Sequence, residues 1–195
     1  MENLKPIETV YNGYKFRSRL EARWAVFFDA AGIKYEYEPE GFQLNGVWYL
    51  PDFYLPWFHA YVEIKPSNFG DKKDAVKKLE MLFEKENVVC LYCEGDPYEC
   101  NMMIYCNDTN DSSAGTLWWE ADFCEGAQFK CEGYTKHGIC IVVSDENDHS
   151  DREFYDSSWN LCCLEQRSKL TDYRSMLEFE KIKARQARFE HGECG

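Results

Sequence analysis

Helical and strand-like patterns alternate over residues 19–92, and this alternation constrains the fold more than any other feature of the sequence. A helix is predicted over 19–31, because apolar residues recur there at helical spacing: Leu20, Trp24, Phe27 and Phe28. Ser18 and Glu21 have the spacing of a capping box at the start of this helix, and Gly32 is suited to its end. The first element is therefore an amphipathic helix with both ends marked.

Three strand-like stretches and a second helix follow. The strands are predicted at 33–38, 47–55 and 60–65, with turn residues between them. A second amphipathic helix is predicted to begin near Asp71, and a strand over 87–92 comes directly after it. The order of helix, three strands, helix and strand predicts a mixed α/β core in which an antiparallel meander feeds one crossover unit.

The rest of the chain has a weaker pattern. Short strands are predicted at 116–119 and 139–143, and a long charged helix is predicted at 169–190. We therefore divide the chain into a core over residues 1–93 and an acidic, cysteine-containing extension over 94–195 that packs on the core.

Charge is distributed unevenly along the 195 residues, whose net charge is −13. Residues 1–78 are net neutral, residues 79–165 carry −15, and residues 166–195 carry +2. Because acidic surface repels phosphates, a nucleic-acid surface would have to be built from the first and last segments. The acidic middle segment, residues 79–165, is better suited to a protein partner.

No stretch approaches the ~20 apolar residues of a membrane span, and the N-terminus lacks the apolar core of a signal peptide. We therefore expect a soluble intracellular protein with no membrane partner. Its ten cysteines are expected to be reduced thiols, with metal ligation as the alternative for some of them. Four residues are candidate zinc ligands: Cys124, Cys131, His137 and Cys140. Of these, only His137 and Cys140 have the close spacing that is usual for structural zinc ligands.

The strand predicted over 60–65 places two polar side chains on one face. Side chains alternate along a strand, so Glu63 and Lys65 point the same way. If residues 56–59 form the hairpin loop, Asp52 on the preceding strand lies opposite Glu63. Two carboxylates ~4.5–5.5 Å apart destabilise a sheet by themselves, whereas a divalent cation between them would reverse the sign of that interaction.

Each of these residues alone has an ordinary interpretation. Glu63-x-Lys65 is common on solvated strand edges, Pro51-Asp52 is a turn signal, and Glu21 completes a capping box. Their common order on these elements is what indicates a function.

One order of residues along the chain is similar to a known motif: Glu21, then Pro51-Asp52, then Glu63-Ile64-Lys65. This order resembles the motif of the PD-(D/E)xK nuclease superfamily. A longer pattern consists of four blocks: Phe16-Arg17-Ser18-x-Leu20-Glu21, Gly32-Ile33-Lys34-x-Glu36-Tyr37-Glu38, Pro51-Asp52-Phe53-x-Leu55-Pro56 and Val62-Glu63-x-Lys65. Through these blocks, residues 14–93 resemble more closely the catalytic core of the phage-type endonuclease I family of Holliday-junction resolvases.

The resemblance implies a restriction-endonuclease-like core and a Mg²⁺-dependent DNA endonuclease in which Mn²⁺ would substitute. It also implies a phage-encoded protein of the host cytoplasm, acting on branched or single-stranded DNA, with a homodimer as one assembly. Asp52, Glu63 and the backbone carbonyl of Ile64 would hold the metal. Glu21 would bind a second metal or orient its water, and Lys65 would position the attacking water or stabilise the pentavalent transition state.

A second hypothesis is that the chain is not an enzyme. The large acidic segment would also suit a non-catalytic protein-binding or DNA-mimicking factor built on a nuclease scaffold. Holding two carboxylates and a lysine together favours the enzyme, since a scaffold without catalysis has no physical need for that arrangement.

Basic residues at two places are candidates for DNA contacts. Arg17 and Arg19 lie at the start of the first helix, beside the predicted site. On the last helix, four basic residues are predicted on one side of the cylinder: Arg174, Lys181, Arg185 and Arg188. The preference for basic residues near a helix C-terminus explains the last two about as well.

Overall fold

The computed structural model describes residues 6–67, 70–107, 116–125, 139–144, 152–155 and 177–189; for the strand residues between 106 and 155 it describes the backbone alone. These residues hold three helices, α1 (Arg19–Ala31), α2 (Lys72–Glu86) and α3 (Glu178–Gln186). They also hold twelve strands: β1 (Thr9–Tyr11), β2 (Tyr14–Phe16), β3 (Glu36–Tyr37), β4 (Phe42–Leu44), β5 (Val47–Tyr49), β6 (Phe53–Leu55), β7 (Ala60–Lys65), β8 (Val89–Glu94), β9 (Asn101–Asn107), β10 (Thr116–Glu125), β11 (Ile139–Ser144) and β12 (Arg152–Tyr155). No helix within them is long and apolar enough to cross a membrane.

Helix α1 begins and ends where the sequence predicts. The Ser18 hydroxyl accepts a hydrogen bond from the Glu21 backbone N–H at 3.2 Å, which satisfies a donor that the first turn leaves unpaired. At the other end, Gly32 adopts a left-handed conformation (φ 70°), and the Ile33 N–H bonds back to the Phe28 carbonyl at 2.8 Å. This turn takes up Ile33, so the strand predicted over 33–38 shortens to β3.

The meander that follows α1 consists of β3, β6 and β7. Leu55 pairs with Ala60, which confirms the predicted register, and residues 56–59 form the predicted loop. The strand predicted over 47–55 is wrong as a single element. Its first part is β5, which pairs with β4 in a separate hairpin, whereas its last part is β6. The hairpin turns at Asn45-Gly46, where both residues have positive φ angles (45° and 89°).

The crossover unit runs from β7 through α2 to β8. Strands β7 and β8 are parallel, with Lys65 opposite Glu94 at their carboxyl ends. Strand β8 begins two residues later than the strand predicted over 87–92. Asn87 ends α2 in a left-handed conformation (φ 51°), with its N–H bonded to the Phe83 carbonyl at 2.7 Å.

One mixed sheet of eight strands joins both halves of the chain, in the order β12-β11-β10-β9-β8-β7-β6-β3. Strands β9 to β12 add to β8 as an antiparallel series. The strands predicted at 116–119 and 139–143 are the starts of the longer β10 and β11. The described chain is therefore mixed α/β, with the β7–β8 pair near the middle of the sheet.

Strand β7 is buried on both faces, as is typical of strands covered by helices on two sides. One face packs with α1 through Ala60, Val62 and Ile64. On the other face, Tyr61 packs with α2 and with the β4–β5 hairpin. Glu63 shares this second face with Tyr61, because side chains alternate along the strand. The predicted alternation is confirmed, and the face that carries Glu63 is covered.

Helix α3 is shorter at its C-terminal end than the predicted helix over 169–190. It ends at Gln186, because Ala187 takes an extended conformation (φ −56°, ψ 121°). The chain leaves the helix there and brings Phe189 against Tyr11, with ring centroids 6.3 Å apart. Arg188 therefore lies past the helix and not on a helical stripe, which corrects the prediction. Arg174 and the rest of the range 169–176 lie outside the described residues.

Candidate active site

Asp52 and Glu63 lie side by side at the start of β6 and near the end of β7. Phe53 of β6 pairs with Val62 of β7. The next pair in the same register is Asp52 with Glu63. Both side chains are removed from solvent, since Asp52 is 2% exposed and Glu63 is 6% exposed. The Ile64 N–H donates to Asp52 Oδ2 at 2.7 Å, so the backbone of β7 holds this carboxylate in place.

Lys65 Nζ lies within reach of both carboxylates. It donates a hydrogen bond to Glu63 Oε1 and lies 3.9 Å from Asp52 Oδ2. It also lies 3.3 Å from the carbonyl oxygen of Ile64, which the sequence predicts as a metal ligand. Burial of Lys65 works against its charged form, but the charges of Asp52 and Glu63 outweigh this effect and raise its pKa above the ordinary value.

Arg17 contacts the other side of Asp52. Its Nη2 lies 2.5 Å from Asp52 Oδ1, and its Nε lies 2.6 Å from Glu38 Oε1. The Arg17 side chain is half-exposed, whereas Asp52 is buried. Glu38 is held beside Asp52 by the backbone, since its N–H donates to the Asp52 carbonyl at 3.0 Å. Arg17 is thus fixed at the solvent edge of the site by two acidic groups.

Glu21 is buried at the start of α1, where its side chain accepts from the Ser18 hydroxyl and the Arg17 N–H and not, as in a capping box, from the Ser18 N–H. Its Oε1 accepts from the Ser18 hydroxyl at 2.8 Å. Its Oε2 accepts from the Arg17 N–H at 3.1 Å and from the Tyr37 hydroxyl at 2.6 Å. The connection between Glu21 and Asp52 runs through Arg17, whose backbone binds the first and whose guanidinium binds the second. Glu21 therefore orients Arg17, in addition to closing the start of α1.

Burial and like charge act together on Asp52. Desolvation is the larger effect and the negative charge of Glu63 the next, and together they raise the pKa of Asp52 from 3.8 to about 8. Lys65 and the Ile64 N–H oppose this change without cancelling it. The pair is therefore electrostatically unfavourable when both groups are ionised, which is the property predicted for two carboxylates that face each other.

The donor set fits a hard divalent cation. Mg²⁺ and Mn²⁺ prefer oxygen ligands, and Asp52, Glu63 and the Ile64 carbonyl supply two carboxylates and one carbonyl oxygen. A cation here would take over the neutralising role of Arg17 and Lys65, which now bind Asp52 Oδ1 and Glu63 Oε1. Within the described side chains, no group of three or more His, Cys, Asp or Glu residues is placed to hold a metal.

Tyr49 is a site residue that sequence reasoning missed. Its hydroxyl donates to Glu63 Oε2 at 2.8 Å, and the residue is buried. Burial, followed by the charge of Glu63, raises its pKa well above the ordinary value, so the hydroxyl keeps its proton and remains a donor. Tyr37 plays a similar part beside Glu21. No local pattern in the sequence predicts either contact, because each joins two elements that are separate in the chain.

The other candidate DNA contacts lie on α1 and on or after α3. Arg19 begins α1 and is partly buried. Arg185 is held by its own chain, since its Nη1 lies 2.9 Å from Glu99 and its guanidinium lies 4.7 Å from the centre of the Tyr98 ring. Lys181 lies on α3 and Arg188 is exposed beyond it.

The zinc candidates are only partly described. Cys124 on β10 and Cys140 on β11 are direct cross-strand partners in the backbone register. Cys131 and His137 lie outside the described residues. The cysteines whose side chains are described are free thiols: Cys90, Cys93 and Cys100.

Comparison of the chain with protein-family models, curated proteins and solved structures finds no match. The geometry around Asp52, Glu63 and Lys65 is therefore the basis for inferring a function.

Proposed function

We propose that the chain is a metal-dependent DNA endonuclease with a restriction-endonuclease-like core. The observation that carries this proposal is the buried pair Asp52 and Glu63 with Lys65 Nζ within reach of both. Two like charges cost stability when they are buried together, so the arrangement calls for a cation that offsets the cost. The four sequence blocks that resemble the endonuclease I family lie on the elements that build this site.

The chemistry follows from the charge of the substrate. A phosphodiester is a poor electrophile because its anionic oxygens repel a nucleophile. Mg²⁺ or Mn²⁺ held by Asp52, Glu63 and the Ile64 carbonyl would neutralise that charge and lower the pKa of a bound water. Lys65 would orient the attacking water and stabilise the negative charge that develops on the phosphate oxygens in the transition state.

Arg17 has the position of a phosphate-binding residue. It lies at the solvent edge of the site and is half-exposed, so a DNA phosphate can reach its guanidinium. The hydrogen bond that the Arg17 N–H donates to Glu21 Oε2 fixes the backbone position from which the Arg17 side chain extends. Arg17 would exchange its contact with Asp52 for one with the scissile phosphate when the carboxylate binds metal.

One observation favours the non-catalytic alternative. Every oxygen of the two carboxylates already has a protein donor: Arg17, the Ile64 N–H, Lys65 and the Tyr49 hydroxyl. A binding factor on a nuclease scaffold would be neutralised in this way without metal. The two hypotheses differ in whether Mg²⁺ displaces these donors and whether hydrolysis follows.

Plasmid cleavage tests the proposal. Supercoiled DNA is incubated with Mg²⁺ and the wild-type chain, and nicked and linear products are measured. Asp52→Asn, Glu63→Gln and Lys65→Ala should each lower the rate by orders of magnitude. Because these residues act as one unit, a double variant should be little slower than a single one.

Glu84→Gln, an exposed carboxylate on α2, is the matched control and should cleave like wild type. Wild-type protein that leaves the plasmid intact in Mg²⁺ and Mn²⁺ would favour the binding factor. Near wild-type cleavage by Glu63→Gln would exclude this site as the catalytic centre.

A further inference from the structure

Trp48 is a large apolar side chain that the fold leaves in solvent. It lies on β5 and is 64% exposed, and its neighbour Val47 is 48% exposed. Tryptophan is seldom left so exposed without a partner, because its ring carries the largest apolar area of any side chain. The exposed ring on the β4–β5 hairpin is therefore a candidate contact for a binding partner.

A glycine holds the ring in place. The six-membered ring of Trp48 lies against the backbone of Gly41, and a Cβ at that position would be 2.7 Å from Trp48 Cη2 and would overlap the ring. One face of the indole is thus supported by backbone while much of the side chain faces water. A tight turn at Asn45-Gly46 fixes the hairpin that carries it. The indole ring of Trp48 is therefore held in place on one side and exposed to solvent on the rest of its surface.

The hairpin is connected to the proposed catalytic site. Tyr49, the next residue after Trp48, points to the interior and donates to Glu63 Oε2. Trp48 points to the outside of the same hairpin, because side chains alternate along β5. Trp48 is therefore one residue from a side chain that binds Glu63, on the outer side of the hairpin that covers this face of β7.

The hairpin itself carries no group that repels phosphate. Residues 41–50 contain no acidic side chain, although the whole chain has a net charge of −13. Beside the hairpin, Lys85 of α2 lies with its Nζ 5.8 Å from the centre of the Phe42 ring and 3.1 Å from Glu86 Oε1, so its charge offsets that of Glu86. A DNA strand that approaches Trp48 therefore meets no carboxylate on residues 41–50.

We propose that Trp48 stacks on a nucleobase of the DNA strand held at the site, an inference that rests on the proposed function. Indole rings stack on any base, since every base offers a π face. Bases inside a duplex are already stacked on both sides, so the contact selects an unpaired base near the cut. Trp48 would then be a positioning residue that favours unpaired nucleotides.

Binding in EDTA tests this inference without cleavage. A single-stranded oligonucleotide that contains 2-aminopurine is titrated with protein, and affinity is read from anisotropy while stacking is read from quenching of the base analogue. Trp48→Ala should weaken binding by about 5- to 100-fold and abolish quenching. Trp48→Phe should retain part of both signals, and affinity for a blunt duplex should change little.

Two further variants separate stacking from folding. Gly41→Ala keeps the tryptophan but displaces its ring, so it should lower quenching while the melting temperature changes less than for a core substitution. Phe179→Ala removes another exposed aromatic ring, 74% exposed on α3, and should bind like wild type.

Equal affinity and quenching for wild type and Trp48→Ala would overturn the proposal. So would a change of oligomeric state in Trp48→Ala, seen by light scattering, with unchanged DNA affinity, since the ring would then be a protein contact. If stacking is observed but Mg²⁺ supports no cleavage, the proposed function fails and the assignment of Trp48 as a base-binding residue stands.

Discussion

The raised pKa of Asp52 predicts that replacing this residue stabilises the metal-free protein. An acid whose pKa is raised on folding keeps its proton in the native state over a pH range where the unfolded chain has lost it. The native protein then binds more protons, so stability falls as pH rises from about 4 to about 8. Asp52→Asn removes the ionisable group, and the difference in stability should grow over that range.

The magnitude follows from the two pKa values. Each pKa unit corresponds to about 1.4 kcal/mol. With 3.8 in the unfolded chain and about 8 in the native protein, the shift lowers the free energy of unfolding, relative to its value at low pH, by about 2 kcal/mol at pH 5 and about 4 kcal/mol at pH 7. The contact with half-exposed Arg17 that the variant loses offsets about 1 kcal/mol of the gain.

Urea unfolding in EDTA at pH 5, 6, 7 and 8 measures the effect. The free energy of unfolding of Asp52→Asn should exceed that of wild type by an amount that increases with pH. Asp71→Asn, at an exposed position before α2, is the matched control and should follow wild type. Millimolar Mg²⁺ should then raise the melting temperature of wild type and not that of Asp52→Asn.

A constant difference between Asp52→Asn and wild type from pH 5 to pH 8 would refute the electrostatic reasoning. It would mean that Arg17 and Lys65 neutralise Asp52 completely and that the site has no need of a cation. A variant less stable than wild type at pH 8 would refute it more strongly.

Three further outcomes are expected. Tyr49→Phe leaves Glu63 Oε2 buried without its donor, so urea unfolding at pH 8 should show a loss of about 1–3 kcal/mol, and an unchanged curve would contradict the contact. Arg17→Gln removes the cation that shares Asp52 Oδ1, so the Mg²⁺-induced rise in melting temperature at pH 9 should be larger than in wild type; an equal or smaller rise would contradict this competition. Arg185→Ala should leave the salt dependence of DNA binding almost unchanged because the side chain is held by its own chain, whereas a fall of ~0.9 in log–log slope would show a phosphate contact.

Local chemistry made much of the core predictable. The bounds of α1 follow from Ser18 and Gly32, two residues whose effect is confined to adjacent turns. The register of β6 and β7 follows from a four-residue loop, which fixes the pairing of Leu55 with Ala60 and hence the meeting of Asp52 and Glu63. These features need no information from distant parts of the chain.

Contacts between distant segments could not be predicted in the same way. Tyr49 reaches Glu63 only because the β4–β5 hairpin folds over the sheet, and the sequence around Tyr49 is equally compatible with one long strand. Arg17 binds Glu38 as well as Asp52, which depends on the left-handed conformation of Glu38 (φ 45°). The end of α3 at Gln186 has no Gly or Pro beside it to mark it in the sequence, and the chain after it packs Phe189 on Tyr11.

The continuity of the eight-stranded sheet limits how the chain can be shortened. Strand β8 is paired on both sides, with β7 and with β9, so the backbone donors and acceptors of its second side are satisfied by residues 101–105. A chain cut after residue 93 would expose that side as an open edge formed by apolar residues. Open apolar edges pair with other molecules, so the shortened chain should aggregate even though it retains every residue of the candidate active site.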